Sequence, residues 1–156
     1  MKRKAAFLFL VLGLAGLLAA SDARSIEASG KPKTRKVKVY FYHDPGEYID
    51  LSPVERRVNA VSPARAAINA LLKGPTEAER QKGFDDLAGT EELAIGSLRI
   101  SRGTARVNFV ASRAWHGWPG DLGPVRFKKA VELTLKQFPN VQTVIVSVNG
   151  ERNFEQ

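Results

Sequence analysis

The chain has 156 residues, with 24 Lys and Arg against 16 Asp and Glu, a formal net charge of +8 and no cysteine. This length gives room for one domain with its own core, while the absence of cysteine excludes disulfides, zinc ribbons, thiol nucleophiles and thioether lipidation. Such a domain has to be held together by its core.

The chain opens on Lys2, Arg3 and Lys4, followed by the uncharged run "AAFLFLVLGLAGLLAA" and then small residues, the pattern of an export signal. The run is shorter than the roughly 20 apolar residues that span a bilayer, and Gly13 and Gly16 weaken it further. Residues 1–23 are therefore read as a signal peptide, cleaved after Ala23 or after Ser21, with a retained anchor as the alternative. The expected location is extracytoplasmic (periplasm, cell surface or secreted), without lipidation. Loss of this segment removes Lys2, Arg3, Lys4 and Asp22 and leaves a net charge of +6. Residues 24–35, "RSIEASGKPKTR", contain Ile26 as their one large apolar side chain together with Gly30 and Pro32, and read as a basic flexible linker. Membrane contact is expected at most through an uncleaved signal or this linker.

The folded domain is expected over 36–156. In "KVKVYFYHD", Val37, Val39 and Phe41 alternate with Lys38, Tyr40 and Tyr42, which is strand periodicity. Asp44-Pro45-Gly46 turns the chain, and a second extended run reaches about Val58. Ser62-Pro63 signals a helix start, with Ser62 as side-chain cap; Ala67, Ile68, Leu71 and Leu72 form its apolar stripe. The next segment, "ALLKGPTEAERQKGF", has ingredients of a phosphate loop. Lys73, however, precedes Gly74 and Pro75 has no N–H to offer an anion. Thr76 and Glu79 instead make a capping box that opens a short helix, ended by Gly83.

Leu98 and Ile100, a tight turn at Arg102-Gly103, and Ala105, Val107 and Phe109 predict a hairpin. An irregular stretch with Trp115 and Trp118 follows. "VRFKKAVELTLKQF" then places Phe127, Ala130, Val131, Thr134, Leu135 and Phe138 on one helical face, stopped by Pro139-Asn140. In "VQTVIVSVNG", Val144, Val146 and Val148 share one face of a last strand that ends at Asn149-Gly150. The order is about ββα(α)ββαβ: an α+β fold, a two-layer α/β sandwich with helices packed on one face of a mainly antiparallel or mixed sheet.

Chemistry-bearing groups are few. His43-Asp44 with His116 is the set from which a general base or a metal site could be built, but nothing local sets their spacing. No serine sits in a G-x-S-x-G elbow. Trp115, His116 and Trp118 in a glycine-rich loop are the main candidates for binding a partner or a glycan, by stacking or anchoring; the same two indoles could equally fold back over the end of the core. Tyr40 and Tyr42, interleaved with Lys38, are further binding candidates. Export argues against nucleic acid as the partner of that strand face.

Three stretches, "VYFYHDPGEYIDLSPVERRV", "ALLKGPTEAERQKGF" and "ELTLKQFPNVQTVIVSVNGE", resemble the GerMN domain of bacterial sporulation and spore-germination proteins, GerM-like, over about Lys36 to Glu151. The resemblance implies an extracytoplasmic, non-enzymatic α/β module, similar in build to ring-building domains that assemble multiprotein channels in the cell envelope, with no catalytic residues to assign. The expected function is thus an exported interaction domain of the envelope, without cofactor or metal, its partners being envelope proteins or further copies of itself. The alternatives are a peptidoglycan-binding accessory module and a metal-dependent wall hydrolase around His43, Asp44 and His116.

Overall fold

The computed structural model describes residues 33–43, 50–152 and 154. The export signal, most of the linker and the Asp44-Pro45-Gly46 turn lie outside the described residues. The first strand, β1 (Thr34–His43), starts two residues before the expected domain boundary, because Thr34 and Arg35 already pair with Asn59 and Val58 of β2 (Asp50–Asn59). The predicted alternation holds: Val37, Val39 and Phe41 are buried while Lys38, Tyr40 and Tyr42 point the other way. β2 is the outer strand of its sheet, which is where Pro53 can sit without removing a ladder hydrogen bond from the interior. A two-residue strand, β3 (Phe84–Asp85), pairs with Tyr42 and His43 on the other side of β1; it is too short for any alternation to announce it.

Helix α1 (Pro63–Leu72) buries Ala67, Ile68 and Leu71, and Pro63 occupies its first turn. Ser62 departs from expectation. Its side chain makes no capping bond, because a backbone ψ of 66° lies off the extended region from which a cap side chain reaches the first amides; its carbonyl accepts from the Ala66 N–H at 3.0 Å instead. Gly74, at φ 74°, turns the chain out of α1, and the Thr76 N–H donates to Glu79 Oε2 at 2.7 Å at the start of α2 (Glu77–Arg80). The expected corner between two helices is present.

The second sheet is built from β4 (Leu93–Ser101), β5 (Thr104–Ala111) and β6 (Thr143–Val148). Arg102 and Gly103 join the first two with φ of 48° and 75°, the doubly left-handed turn that matches strand twist. β4 carries a bulge between Ile95 and Ser97. Gly96 fills it, and any Cβ there would come within 2.6 Å of Val110 Cγ2. Helix α3 (Leu122–Lys136) begins three residues earlier than predicted, since Gly123 and Pro124 are tolerated in a first turn whose N–H groups lack helical partners anyway. β6 then runs parallel to β5.

The strands thus divide into an antiparallel sheet, β2-β1-β3, and a mixed one, β4-β5-β6. Both larger helices bridge them: α1 packs on β1, β2, β4 and α3, and α3 packs on β1 and β6. One continuous core results, centred on Phe41, Ile68, Leu71, Phe109, Phe127 and Leu135, all essentially inaccessible to water. Fully burying side chains of this size stabilises by about 1.5–3 kcal/mol each. Among the described residues most of β1 has no neighbouring strand on its β3 side, and Gln137, just past α3, fills part of that gap. Its carboxamide accepts from the Lys38 N–H at 2.7 Å and donates to the Lys38 carbonyl at 2.6 Å, the two bonds an adjacent strand would make.

Candidate functional site

The segment after β5 is pinned by its own backbone: the Ser112 N–H donates to the Glu92 carbonyl at 2.9 Å, and the Trp115 N–H to the Ser112 carbonyl at 3.2 Å. Trp115 Nε1 donates to the Gly89 carbonyl at 3.1 Å. The two indoles meet edge to face, centroids 5.6 Å apart, and Trp118 leans on Phe127 at 4.9 Å and faces Phe154 at 6.1 Å. Phe127 in turn meets Phe109 of the core at 4.9 Å. Aromatic contacts of this kind contribute about 0.5–1.5 kcal/mol each beyond area burial. The indoles are half-buried against the core end and, at the same time, line an open groove of about 590 Å³ with Asp121, Asn149, Glu151 and Phe154.

On the other side of the 119–121 loop lies a second groove, about 710 Å³, bordered by Tyr42, Asp85, Leu87, Pro119, Leu122 and Arg126. The Arg126 guanidinium lies over the Tyr42 ring at 4.9 Å. Burial raises the Tyr42 phenol above its ordinary range, Arg126 opposing and Asp50 adding to the shift. A third groove, about 470 Å³, runs between the start of α1 and β4 and is lined by Arg35, Pro63, Arg65, Leu98, Ile100 and Phe138.

Of the five binding candidates, Trp115 and Trp118 come together, Tyr42 borders the neighbouring groove, and Tyr40 and His116 line neither. His43 is engaged structurally: its ring stacks on Phe84 at 4.4 Å, and Nε2 lies 3.1 Å from the Lys82 carbonyl. Asp44 lies outside the described residues, and among the described residues no three His, Asp or Glu side chains converge as a metal-holding set. At the Lys73-Gly74-Pro75 corner it is a carboxylate, Asp86, that packs against Gly74, and Asp86 pairs with Arg80 at 2.6 Å. That carboxylate already stands where an anion cradled by Gly74 would have to sit. Arg56 pairs with Glu79 alongside and donates to the Gly74 carbonyl at 3.3 Å. Burial pushes the Glu79 carboxyl up, but hydrogen bonds from Arg56 and Thr76 outweigh it and hold the pKa below the usual value.

Sequence reasoning missed Asp121, Asn149, Glu151 and Phe154 as companions of the tryptophans. Asn149-Gly150 reads only as a strand terminator, and no local pattern brings Asn149, Glu151 and Phe154 to the groove beside Trp118.

Two packed sheets bridged by helices, with an aromatic groove at one end, define a small α+β domain of the GerMN type. The family described as Germane, sporulation and spore germination, matches residues 38–154, and the chain belongs to it. Among solved structures it is similar to the tandem GerMN domains of the sporulation protein GerM from Bacillus subtilis, with 24% identity, a TM-score of 0.58, and coverage of 80% of this chain and 43% of that one. It is also similar to the first GerMN domain of the same protein, with 21% identity, a TM-score of 0.57, and coverage of 76% of this chain and 86% of that one. At such identities the likeness shows the fold, and this chain spans less than half of the tandem structure. No curated protein matches the sequence.

Proposed function

We propose that this chain is an extracytoplasmic, non-enzymatic domain that binds other proteins of the cell envelope. The observation that carries the reading is the free flank of β4. Among the described residues this strand ends its sheet and pairs only with β5, and beside it Leu98, Ile100, Pro63 and Phe138 line the third groove. An unpaired strand edge offers main-chain N–H and C=O groups to an incoming segment, and a neighbouring apolar groove receives its alternate side chains. The flank of β1 is less open, because Gln137 already occupies Lys38. The basic N-terminal head and apolar run support an extracytoplasmic setting, and the sporulation-related family supports an envelope setting. A photocrosslinking residue placed at Ser97 is expected to yield a discrete protein adduct in intact cells, and one at Lys73 none. Adducts of equal yield from both positions, or none from Ser97, would sink the reading.

A second reading has its own observation, the groove at Trp115 and Trp118. Indole rings beside Asp121, Asn149 and Glu151 combine a stacking surface with planar hydrogen-bonding groups, the chemistry that holds a neutral sugar ring. Binding of soluble peptidoglycan fragments, followed by indole fluorescence, is expected to weaken at least tenfold on Trp115→Ala. Trp115 is the safer probe, because Trp118 also packs on Phe127. Affinity unchanged by that substitution would remove the glycan site.

A further inference from the structure

The register of the second sheet places its side chains in rows. On the buried face stand Leu98 with Val107 and Ile100 with Ala105, whereas the outward face pairs Arg99 directly with Arg106, and Arg106 in turn with Ile145. Arg99 and Arg106 are exposed. Like charges directly opposite each other on neighbouring strands are destabilising, and a fold usually relieves such a pair with a nearby carboxylate. The sheet itself supplies none: Leu93–Ser101, Thr104–Ala111 and Thr143–Val148 contain no Asp or Glu. A third arginine, Arg102, sits at the tip of the hairpin. Among the described residues, ion pairs join Lys36 to Glu55, Arg56 to Glu79 and Arg80 to Asp86, and neither Arg99 nor Arg106 takes part in one.

The surroundings of the pair are not those of a purely solvated charge stripe. Val110, on the same face, is 46% exposed, and Ile145 is half-buried beside Arg106. Asn108 is held in place by Ser147 Oγ at 2.9 Å and by the Gly150 N–H at 2.8 Å, so the row next to the arginines is fixed. Arginines flanked by exposed aliphatic and hydroxyl side chains on a sheet face have the composition of a protein interface more than that of a polyanion groove. Guanidinium groups also grip carboxylates in a two-pronged geometry that ammonium groups cannot.

We propose that the outward face of β4-β5-β6 docks an acidic surface of a partner protein, with Arg99 and Arg106 converging on its carboxylates and Val110 and Ile145 packing beside them. This rests on the interaction reading above and adds to it the docking face and the charge of the partner. β4 belongs to both surfaces, so a segment added at its flank would extend the arginine-bearing face.

The test uses the purified full chain with fluorescent poly-L-glutamate as probe and polyphosphate as competitor class. Arg99→Gln with Arg106→Gln is expected to weaken poly-L-glutamate binding at least tenfold, while Lys73→Gln with Lys136→Gln, an equal loss of charge elsewhere, changes it less than twofold. Equal losses from the two double variants would reduce the effect to net charge and overturn the proposal. Polyphosphate bound more tightly than poly-L-glutamate and released by the arginine substitutions would overturn it in favour of a phosphate polymer. A Ser97 adduct that persists undiminished in the arginine double variant would remove the arginine face and leave the interaction reading standing. Absence of that adduct in the unsubstituted chain would remove the interaction reading itself. An unfolding midpoint at or above that of the unsubstituted chain would show that the arginine variant is folded.

Discussion

Charge is handled in opposite ways on the two sheets. Around the first sheet and the α1–α2 corner, cations meet carboxylates: Lys36 with Glu55, Arg56 with Glu79, Arg80 with Asp86. On the outward face of the second sheet, Arg99 faces Arg106 and no carboxylate belongs to the strands. The first pattern spends charge inside the molecule, fixing how a strand, a helix corner and a turn fit together. The second leaves two cations side by side on an exposed face, an arrangement that costs stability in isolation and on which the docking proposal rests.

The largest expected effect tests the first half of the contrast. Arg56 and Glu79 keep only 17% and 14% of their side-chain surfaces exposed, and Arg56 also lies over the Phe41 ring at 5.7 Å. Arg56→Ala is expected to destabilise by about 2–3 kcal/mol in urea unfolding, between the values for surface and fully buried pairs. A loss below about 0.5 kcal/mol would place this pair with ordinary surface pairs and break the contrast.

A smaller effect should appear with pH. The folded-state pKa of Glu79 lies below its ordinary value of 4.5, so its contribution is fully present above that value and fades as pH falls through the folded pKa. Stability plotted against pH should therefore drop in this acid window, and Glu79→Gln should flatten the drop without changing the slope between pH 6 and 8. An unaltered acid limb would show that the pair carries no pH-linked stability.

The smallest effect has the opposite sign. Arg106→Glu converts the like-charge pair into a cross-strand ion pair with Arg99 and is expected to stabilise the domain by about 0.2–1 kcal/mol, more at low salt than at high. Destabilisation by the same change would mean that the pair is already relieved within the fold. Stabilisation together with lost binding of an acidic probe would be the clearest sign of a face tuned for something other than folding.

Much of the fold is legible in local sequence, because its signals are local in cause. Val37, Val39 and Phe41 alternate, Arg102-Gly103 supplies a left-handed pair, and the apolar side chains from Phe127 to Leu135 recur with the helical period; each is buried or turned as that pattern requires. What stayed hidden depends on partners far along the chain. The β3 pairing, the bulge at Gly96 against Val110, and the meeting of Trp118 with Phe154 are decided by tertiary neighbours, and a two-residue strand or a lone glycine has no periodicity to read. The candidate sites divide likewise. The tryptophan pair stood out as composition, whereas the arginine row emerges only once register shows which residues face each other.

The Gln137 clasp carries a consequence in time. It joins positions 99 residues apart, so the β1 flank can be sealed at Lys38 only by a residue from the C-terminal third of the polypeptide. Contacts of such long reach raise the contact order of the fold, and folds rich in them form more slowly. A chain that ended before residue 137 would lack both bonds and would leave the Lys38 N–H and carbonyl bare on that strand border, the kind of edge to which another chain can add.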